Sequence, residues 1–385
     1  MYNILTLNKI SKKGLARLDE AKYATGDAFK EPDAVIVRSA SMHEMEIPAS
    51  VKAIARAGAG YNNIPVDTCT QKGICVFNTP GANANAVKEL CVCALLLTSR
   101  KVVAGTEWIK TLKGSGAEVS KKVEKGKSSF AGPEIQGKTI GVIGLGAIGV
   151  LVANAADALG MTVYGYDPFL SDKAANTLND DISITSSLDV IFETSDYITL
   201  HIPLNDSTRD TISAATLAKC KDGVRILNFA RGDLVNSADI LEALESGKCA
   251  AYATDFPTDE MLGVENVIAI PHLGASTPES EENCAVMAAE QVSEYLETGN
   301  TINSVNLPNI SKNVVDGASR VTVITNGDVS ADVYTALAKT GIANPDAIAA
   351  IKKSTGYIIL DITSDANAAA KAIESVDGVI AIRII

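Results

Sequence analysis

The sequence predicts an α/β protein built around a doubly wound parallel sheet. Its 385 residues exceed what one hydrophobic core usually serves, and 46% of them are hydrophobic, so two or three domains are expected. Between residues 138 and 270, strand patterns such as KTIGVI and DYITLH alternate with helix patterns such as AIGVLVANAADALG. Strands that alternate with helices of this length form βαβ units, whose parallel sheets are covered on both faces.

A smaller α/β layer is predicted before this region, because the apolar runs NILTL, AVIV and GICVF within residues 3–77 alternate with helical or turn segments. Residues 85–104 are apolar on most faces and predict one long buried helix that leaves that layer. The lysine-rich residues 110–138 have no useful periodicity and predict a surface connection.

The C-terminal third of the chain begins with a helix signal. Thr277 and Pro278 fit an N-cap and a first helical residue, and the helix to about Glu297 is expected to return the chain to the first domain. Beyond a polar linker, segments in the order β, α, β, α, β, with a possible extra strand, predict a small independent α+β domain. The predicted domains are residues 1–90 with 273–305, residues 91–272, and residues 311–385.

The composition excludes several kinds of protein. A formal net charge of −12 argues against nucleic acid or an anionic membrane as a partner. The seven cysteines are scattered without a C-x-x-C pair, and there are only three histidines, so we expect no metal site and reduced cysteines in the core. The N-terminus has no secretion signal, and the apolar run from Leu90 to Leu97 is too short to span a membrane. These features predict a soluble cytoplasmic protein.

A glycine-rich turn follows the first strand of the central pattern and opens its first helix. It reads Gly144-Leu145-Gly146-Ala147-Ile148-Gly149, the G-x-G-x-x-G sequence whose turn and helix N-terminus bind a pyrophosphate. Asp167 ends the next strand, where a carboxylate binds the adenosine ribose and repels a 2′-phosphate. The alternative is a glycine-rich turn with an incidental aspartate. The context favours a Rossmann domain that binds NAD rather than NADP.

Three ionisable residues come after later strands of the same pattern. Arg231 follows VRILNF, Glu260 follows CAAYAT, and His272 follows NVIAI, so all three are expected at the ligand-binding edge of the sheet. They would supply a cation for a carboxylate and an acid/base for a hydroxyl proton. Taken singly, they could be a solvated loop charge, part of an acidic surface run and a capping residue. His201 also follows a strand and is expected to shape the wall of the cofactor pocket.

Five ordered motifs, IGVIGLGAIG, YGYDP, HIPLNDST, LNFARGDLVN and IAIPHLGAST, together resemble the D-2-hydroxyacid dehydrogenase family over residues 1–308, most closely its phosphoglycerate-oxidising members. The resemblance implies that Arg231 holds the substrate carboxylate, that His272 exchanges the hydroxyl proton, and that Glu260 hydrogen-bonds this imidazole. The cofactor residues that it implies, together with the glycine turn, are Gly144, Gly146, Ala147, Ile148, Gly149, Asp167, His201, Pro203, Phe229, Ala230, Asp255 and Gly274.

The same resemblance makes the first domain a flavodoxin-like substrate domain. Its segments IVRSA and ARAGAGYNN look like the family segments that contact an anionic substrate, and two arginines suit a phosphate. The substrate residues implied are Arg38, Ser39, Arg56, Gly58, Ala59 and Gly60. Oxidation of 3-phosphoglycerate to 3-phosphohydroxypyruvate, in serine biosynthesis, is the expected reaction. Reduction of glyoxylate, hydroxypyruvate or another 2-keto acid is the alternative, and a dinucleotide-dependent binding protein is a third.

Residues 311–385 resemble an ACT domain, a small regulatory fold that can bind serine in this family. The N-x-x-P-G turn expected after its first strand is absent, since RVTVITNGDVSAD contains no proline. The missing turn therefore leaves serine binding open, and the resemblance implies a regulatory module that can still mediate assembly. The family also implies a homodimer or homotetramer.

Overall fold

The structure is a computed structural model that describes residues 1–342 and 345–385. The chain divides into two compact units, residues 1–83 with 278–385 and residues 84–277. The three-domain boundaries given above stay predictions. No helix in the described ranges is long and apolar enough to cross a membrane.

The N-terminal part of the first unit is a five-stranded parallel sheet with the order β2-β1-β3-β4-β5. That order is the one found in flavodoxin, and it confirms the predicted α/β layer. Its elements are β1 (Tyr2–Leu7), α1 (Lys12–Leu15), β2 (Tyr23–Gly26), β3 (Ala34–Val37), β4 (Ala53–Arg56), α2 (Val66–Gln71) and β5 (Cys75–Phe77).

The second unit is a seven-stranded parallel sheet with helices on both faces. Its elements are α3 (Ala84–Ser99), α4 (Val102–Lys110), α5 (Val119–Gly126), β6 (Thr139–Ile143), α6 (Ala147–Ala158), β7 (Thr162–Tyr166), α7 (Asp172–Ala175), β8 (Ser183–Ile184), α8 (Leu188–Thr194), β9 (Tyr197–Leu200), α9 (Ala214–Lys219), β10 (Val224–Asn228), α10 (Ser237–Ser246), β11 (Cys249–Thr254) and β12 (Val267–Ala269). The order β12-β11-β10-β9-β6-β7-β8 contains the Rossmann order of a doubly wound sheet. One core holds α3 and α6, and a second core holds α8, α9 and α10.

Two predictions for the start of this unit are wrong. The helix expected over residues 85–104 ends at Ser99, and α4 begins anew after Lys101, whose φ of +35° interrupts the helical geometry. The connection expected over residues 110–138 contains the helix α5. Its apolar positions are only Val119 and Val123, both half-buried, so the helix carries too few apolar residues for a periodic signal.

The helix α11 (Pro278–Thr298) confirms the predicted start at Pro278 and the return to the first sheet. Its small residues Ala285, Ala288 and Ala289 are buried in the same core as Ile36 and Ala55 of that sheet. The first sheet is therefore covered by a helix from the chain that follows the second unit.

The C-terminal module also belongs to the first unit. It consists of β13 (Ser319–Asn326), α12 (Ser330–Ala338), β14 (Asp346–Lys352), β15 (Thr355–Ile362), α13 (Ala366–Glu374) and β16 (Val379–Ile384). The antiparallel order β14-β15-β13-β16 is that of a split βαβ fold, and β14 is the extra strand that the sequence allowed.

This module was expected to be independent, but one face of its sheet packs on α11. Tyr357 and Ile359 share the core of α11 and the first sheet. The Tyr357 hydroxyl donates to the Gly299 carbonyl at 2.6 Å, and the Arg383 guanidinium stacks 4.6 Å from the centre of the Tyr295 ring. The helices α12 and α13 cover the other face. The module thus has one apolar sheet face, which is buried by packing on α11.

Candidate active site

The strand ends of the second unit form one row across the sheet. Reading the pairing register from β7 to β12, the paired residues are Tyr166, Ile143, Leu200, Asn228, Thr254 and Ala269. Each member of this row is followed, one to three positions further along the chain, by a predicted residue of the site. In spatial order they are Asp167, Gly144, His201, Arg231, Asp255 and His272. Because the strands are parallel, all six leave the sheet at its carboxyl edge.

The three glycines of the turn have different environments, as the motif predicts. Gly144 has φ +94°, and a Cβ added there would lie 2.6 Å from the His201 carbonyl oxygen. A Cβ on Gly149 would lie 1.8 Å from the Gly144 carbonyl oxygen, so this position needs glycine for the helix to approach the strand. A Cβ on Gly146 would meet no protein atom within 4 Å. The open space beside Gly146, at the N-terminus of α6, fits a pyrophosphate.

Asp167 braces this turn from the neighbouring strand. Its Oδ2 accepts a hydrogen bond from the Leu145 N–H at 2.9 Å, and its Oδ1 accepts one from the Phe169 N–H at 2.8 Å. A carboxylate oxygen has further lone pairs, so both contacts leave acceptor capacity for a ribose hydroxyl.

His201 lies behind the glycine turn. A Cβ on Gly149 would lie 3.5 Å from the His201 Cβ, and the ring Nε2 is 2.9 Å from the Thr199 hydroxyl oxygen. Burial lowers the pKa of His201 to about 4, so the ring is neutral at pH 7 and supports the turn without adding charge. Ala147 and Ile148 start α6 beside it.

Arg231 lies in a turn that Asn228 holds in shape. The buried Asn228 side chain donates to the Arg231 carbonyl at 2.9 Å and accepts from the Ala230 N–H at 3.2 Å. The Arg231 side chain is exposed, with one guanidinium N–H donated to the Ala230 carbonyl at 2.6 Å. Phe229 is buried in the core below the turn. Asn228 carries no sequence signal for this role, because it is simply the last residue of the strand Val224–Asn228.

Asp255 is a buried carboxylate beside two cationic or ionisable side chains. It is 2% exposed. Burial raises the pKa of Asp255, while His272, the Gly274 N–H and Arg231 oppose that shift. The exposed His272 ring packs on Phe256, with 4.6 Å between ring centres. The structure therefore brings Arg231, Asp255 and His272 together.

Glu260 does not join this group in the structure. It lies on a one-turn 3-10 helix, Asp259–Met261, and its side chain is exposed. Its own backbone N–H and the Thr258 hydroxyl lower its pKa. Within the described residues no hydrogen bond joins Glu260 to His272, so their pairing stays a prediction, as does a cofactor contact of the exposed Pro203.

The predicted substrate residues lie at the carboxyl edge of the first sheet. Arg38 follows β3 and Arg56 ends β4, its strand neighbour. An Arg38 Nη is 2.6 Å from a Glu281 carboxylate oxygen. Burial lowers the pKa of Arg56; the Cys284 thiol opposes this shift, and Arg38 adds to it. The two guanidinium groups are thus close enough to interact.

The glycine at position 58 lets the Arg56 side chain fold back. Gly58 has φ +150°, and a Cβ there would lie 1.2 Å from an Arg56 Nη atom. The Arg56 Nε is buried and, among the described residues, has no acceptor. Ala59 and Gly60 continue this turn, and the Ser39 N–H donates to the Asn8 side chain at 3.1 Å. A buried donor without an acceptor in this turn is suited to an anionic ligand.

The turn at Gly144 to Gly149 and the strand-end row define a dinucleotide-binding protein of the doubly wound class. Residues 92–274 match the family model for the NAD-binding domain of D-isomer specific 2-hydroxyacid dehydrogenases. The hydroxypyruvate reductase of Thermotoga maritima is 39% identical over 275 residues, which are 68% of this chain and 84% of that protein. The chain therefore belongs to the D-isomer specific 2-hydroxyacid dehydrogenase family, and its cofactor is NAD.

Two further relatives bear on the substrate. A D-3-phosphoglycerate dehydrogenase of Methanocaldococcus jannaschii is 34% identical over 320 residues, which cover 79% of this chain and 59% of that protein. The crystal structure of NAD+-bound 3-phosphoglycerate dehydrogenase from Entamoeba histolytica is similar with a TM-score of 0.61 at 26% identity, over 79% of this chain and 98% of that one. The chain spans only 51 to 60% of the length of four curated D-3-phosphoglycerate dehydrogenases that it matches.

Proposed function

We propose that the chain is an NAD-dependent D-3-phosphoglycerate dehydrogenase, which oxidises 3-phosphoglycerate to 3-phosphohydroxypyruvate in serine biosynthesis. The observation that carries this proposal is the row of strand ends, where a guanidinium, a buried carboxylate and an imidazole follow neighbouring strands next to the dinucleotide turn. A hydroxy acid needs a cation for its carboxylate and a proton acceptor for its hydroxyl.

The side chains at this edge divide the chemistry between them. Arg231 binds the substrate carboxylate and polarises the C2 oxygen by charge-assisted hydrogen bonds. His272 takes the hydroxyl proton as the C2–H bond breaks and the C=O bond forms. NAD+, which the glycine turn and Asp167 would hold, would supply the hydride acceptor for C2. The negative charge of Asp255, or of Glu260 after a movement of its turn, stabilises the imidazolium that forms.

The arginines of the first sheet support a phosphorylated substrate. Guanidinium groups form bidentate bonds with phosphate oxygens, and Arg56 has a buried N–H without an acceptor among the described residues. The ion pair of Arg38 with Glu281 is half exposed, so it is weak enough for a phosphate to replace it.

Hydroxypyruvate reduction is the second candidate, because the Thermotoga maritima relative carries that name and is covered over most of its length. Its substrate lacks the phosphate. The same Arg231 and His272 would serve it, with His272 donating the proton, whereas Arg38 and Arg56 would contribute less.

The test is NADH absorbance with the purified full chain, using 3-phosphoglycerate with NAD+ and, separately, hydroxypyruvate or glyoxylate with NADH. The variants Arg38→Met and Arg56→Met should each raise the KM for 3-phosphoglycerate by about tenfold or more, since each removes charge-assisted bonds to phosphate. Their KM for hydroxypyruvate should change less. Arg17→Met is the matched control, because Arg17 is an exposed arginine of the same unit that pairs with Glu290.

The outcomes separate the three functions. Equal KM values for 3-phosphoglycerate in wild type and both arginine variants would refute the phosphate assignment. Faster turnover of hydroxypyruvate than of 3-phosphoglycerate would favour the reductase. NADH binding without turnover of any acid, and unchanged by His272→Gln, would identify a dinucleotide-dependent binding protein.

We also propose that the C-terminal module is an ACT-like regulatory domain and that the protein is a cytoplasmic homodimer or homotetramer. The βαββαβ order and the antiparallel sheet support the ACT-like assignment. Titration with serine during turnover, together with light scattering after gel filtration, tests regulation and assembly separately.

A further inference from the structure

The first unit contains a cavity at the junction of the C-terminal module with α2. Its volume is about 580 Å³, which is within the range of small-molecule sites. It is lined by α2, by the segment at Asn306, and by the turn between β14 and β15. This cavity is separate from the strand ends that carry Arg38 and Arg56, and no residue of the proposed reaction lines it.

Adjacent lysines give the cavity a positive charge. Lys352 ends β14, and Lys353 forms the following turn with φ +57°. The backbone geometry at Lys353 is unusual for a residue other than glycine or asparagine, and it places the two lysines next to each other at one short turn. Lys352 donates to the Ser304 carbonyl at 2.8 Å. Burial, together with the charge of Lys353, lowers the pKa of Lys352.

In the described ranges 1–342 and 345–385, no carboxylate oxygen lies within 4.0 Å of the Nζ atom of either lysine. The exposed Asp67 lines the cavity but lies beyond that distance. By contrast, Lys312 of the same unit contacts the carboxylates of Asp346 and Asp361. Two unpaired like charges in one cavity of a protein with net charge −12 are suited to an anion.

The other side chains of the cavity can donate hydrogen bonds to such a ligand. The lining includes Ser354 and Thr355, which carry hydroxyls, and Gln71, which carries an amide, whereas the Thr70 hydroxyl is already donated to the Val66 carbonyl. Hydroxyl and amide donors accommodate the several oxygen atoms of a phosphate or carboxylate group. An ammonium group acts there as a point charge for phosphate.

We propose that this cavity binds a small dianion, a phosphate ester or a dicarboxylate, through Lys352 and Lys353. The ligand contacts both α2 and the C-terminal module, so its binding stabilises the packing of the module on the first sheet. The site is independent of the proposed oxidation of 3-phosphoglycerate.

Calorimetric titration of the full chain with inorganic phosphate, and separately with succinate, tests the site. The background variant Arg56→Met reduces phosphate binding at the first sheet edge. On that background, the double variant Lys352→Gln/Lys353→Gln should weaken binding of at least one probe by about tenfold or more. Lys339→Gln is the matched control: this exposed lysine follows α12 and does not line the cavity. Asp67→Asn should strengthen binding, since it removes the negative charge that Asp67 brings to the lining.

The melting temperature gives a second readout. Phosphate or succinate should raise it in the Arg56→Met background and not in the double lysine variant. Lys353→Gln alone leaves the Ser304 contact of Lys352 intact and should still weaken binding, which separates ligand loss from misfolding. Equal affinities in the lysine variants and the Lys339→Gln control, or no binding of either probe by the parent chain, would overturn the proposal.

Discussion

The two glycines at positions 146 and 149 offer a sharp test of the dinucleotide turn, because the same substitution should act in two different ways. At Gly149 an added methyl group lies 1.8 Å from the Gly144 carbonyl oxygen, whereas ordinary contacts begin at 3.4 Å. Backbone must move to relieve this clash, and overpacking of this kind costs about 1–3 kcal/mol of unfolding free energy. Gly149→Ala should therefore lower both stability and NAD affinity.

At Gly146 the same methyl group meets no protein atom within 4 Å, and the residue has φ −73°, which alanine adopts without strain. Replacing glycine lowers the entropy of the unfolded chain, which stabilises by about 0.4–1 kcal/mol. Alanine is a poorer N-cap than glycine, which offsets a similar amount. The net change in unfolding free energy should be within about 1 kcal/mol of zero. The methyl group would occupy the space assigned to the pyrophosphate, so NAD affinity should fall about tenfold or more.

Urea unfolding without cofactor and fluorescence titration with NADH measure the two quantities separately. Wild type is the reference for both variants. A glycine elsewhere in the same unit, Gly247, cannot serve as a control, because its φ of +79° would strain any other residue. Unchanged NADH affinity in Gly146→Ala, with stability also unchanged, would refute the placement of the pyrophosphate. A stable Gly149→Ala would refute the packing argument.

Three further predictions concern the site and the core. Asn228→Ala should lower kcat/KM about a hundredfold in the NADH assay, with little change in NADH affinity. The reason is that the turn that positions Arg231 loses both hydrogen bonds of the Asn228 side chain. A kcat/KM equal to that of wild type would contradict this prediction. Burial lowers the pKa of His201 from 6.5 to about 4. The contribution of His201 to the unfolding free energy is therefore fully present above about pH 6.5 and is lost as the pH falls towards 4; it amounts to at most about 3 kcal/mol. In urea unfolding, the loss of unfolding free energy between pH 7 and pH 5 should be smaller in His201→Gln than in wild type. Asp361→Asn leaves the buried Arg320 without its carboxylate and should lower the unfolding free energy by about 3–5 kcal/mol, which a change under 1 kcal/mol would disprove.

The parts of the fold that follow from local signals could be predicted from the sequence. Strand and helix periodicity predicted the central sheet, and the spacing from Gly149 to Asp167 predicted the dinucleotide turn. The helix α5 escaped prediction because two valines carry its whole apolar face. The packing of the C-terminal module escaped because it depends on Tyr295 and Tyr357, which are distant in sequence and meet only in the folded chain.

The same distinction explains the chemistry at the carboxyl edge of the second sheet. A residue type that follows a strand is visible in the sequence, so Arg231 and His272 could be selected as candidates. Which carboxylate accompanies them depends on how the chain turns after β11. Asp255 leaves the strand directly and is buried, whereas Glu260 lies beyond a turn and is exposed. A buried carboxylate is costly unless positive charge lies beside it; the Arg231 guanidinium supplies that charge, and His272 adds to it when it carries the substrate proton. The electrostatic balance at this edge therefore links all three side chains, and a proton gained by His272 during oxidation would stabilise the ionised form of Asp255.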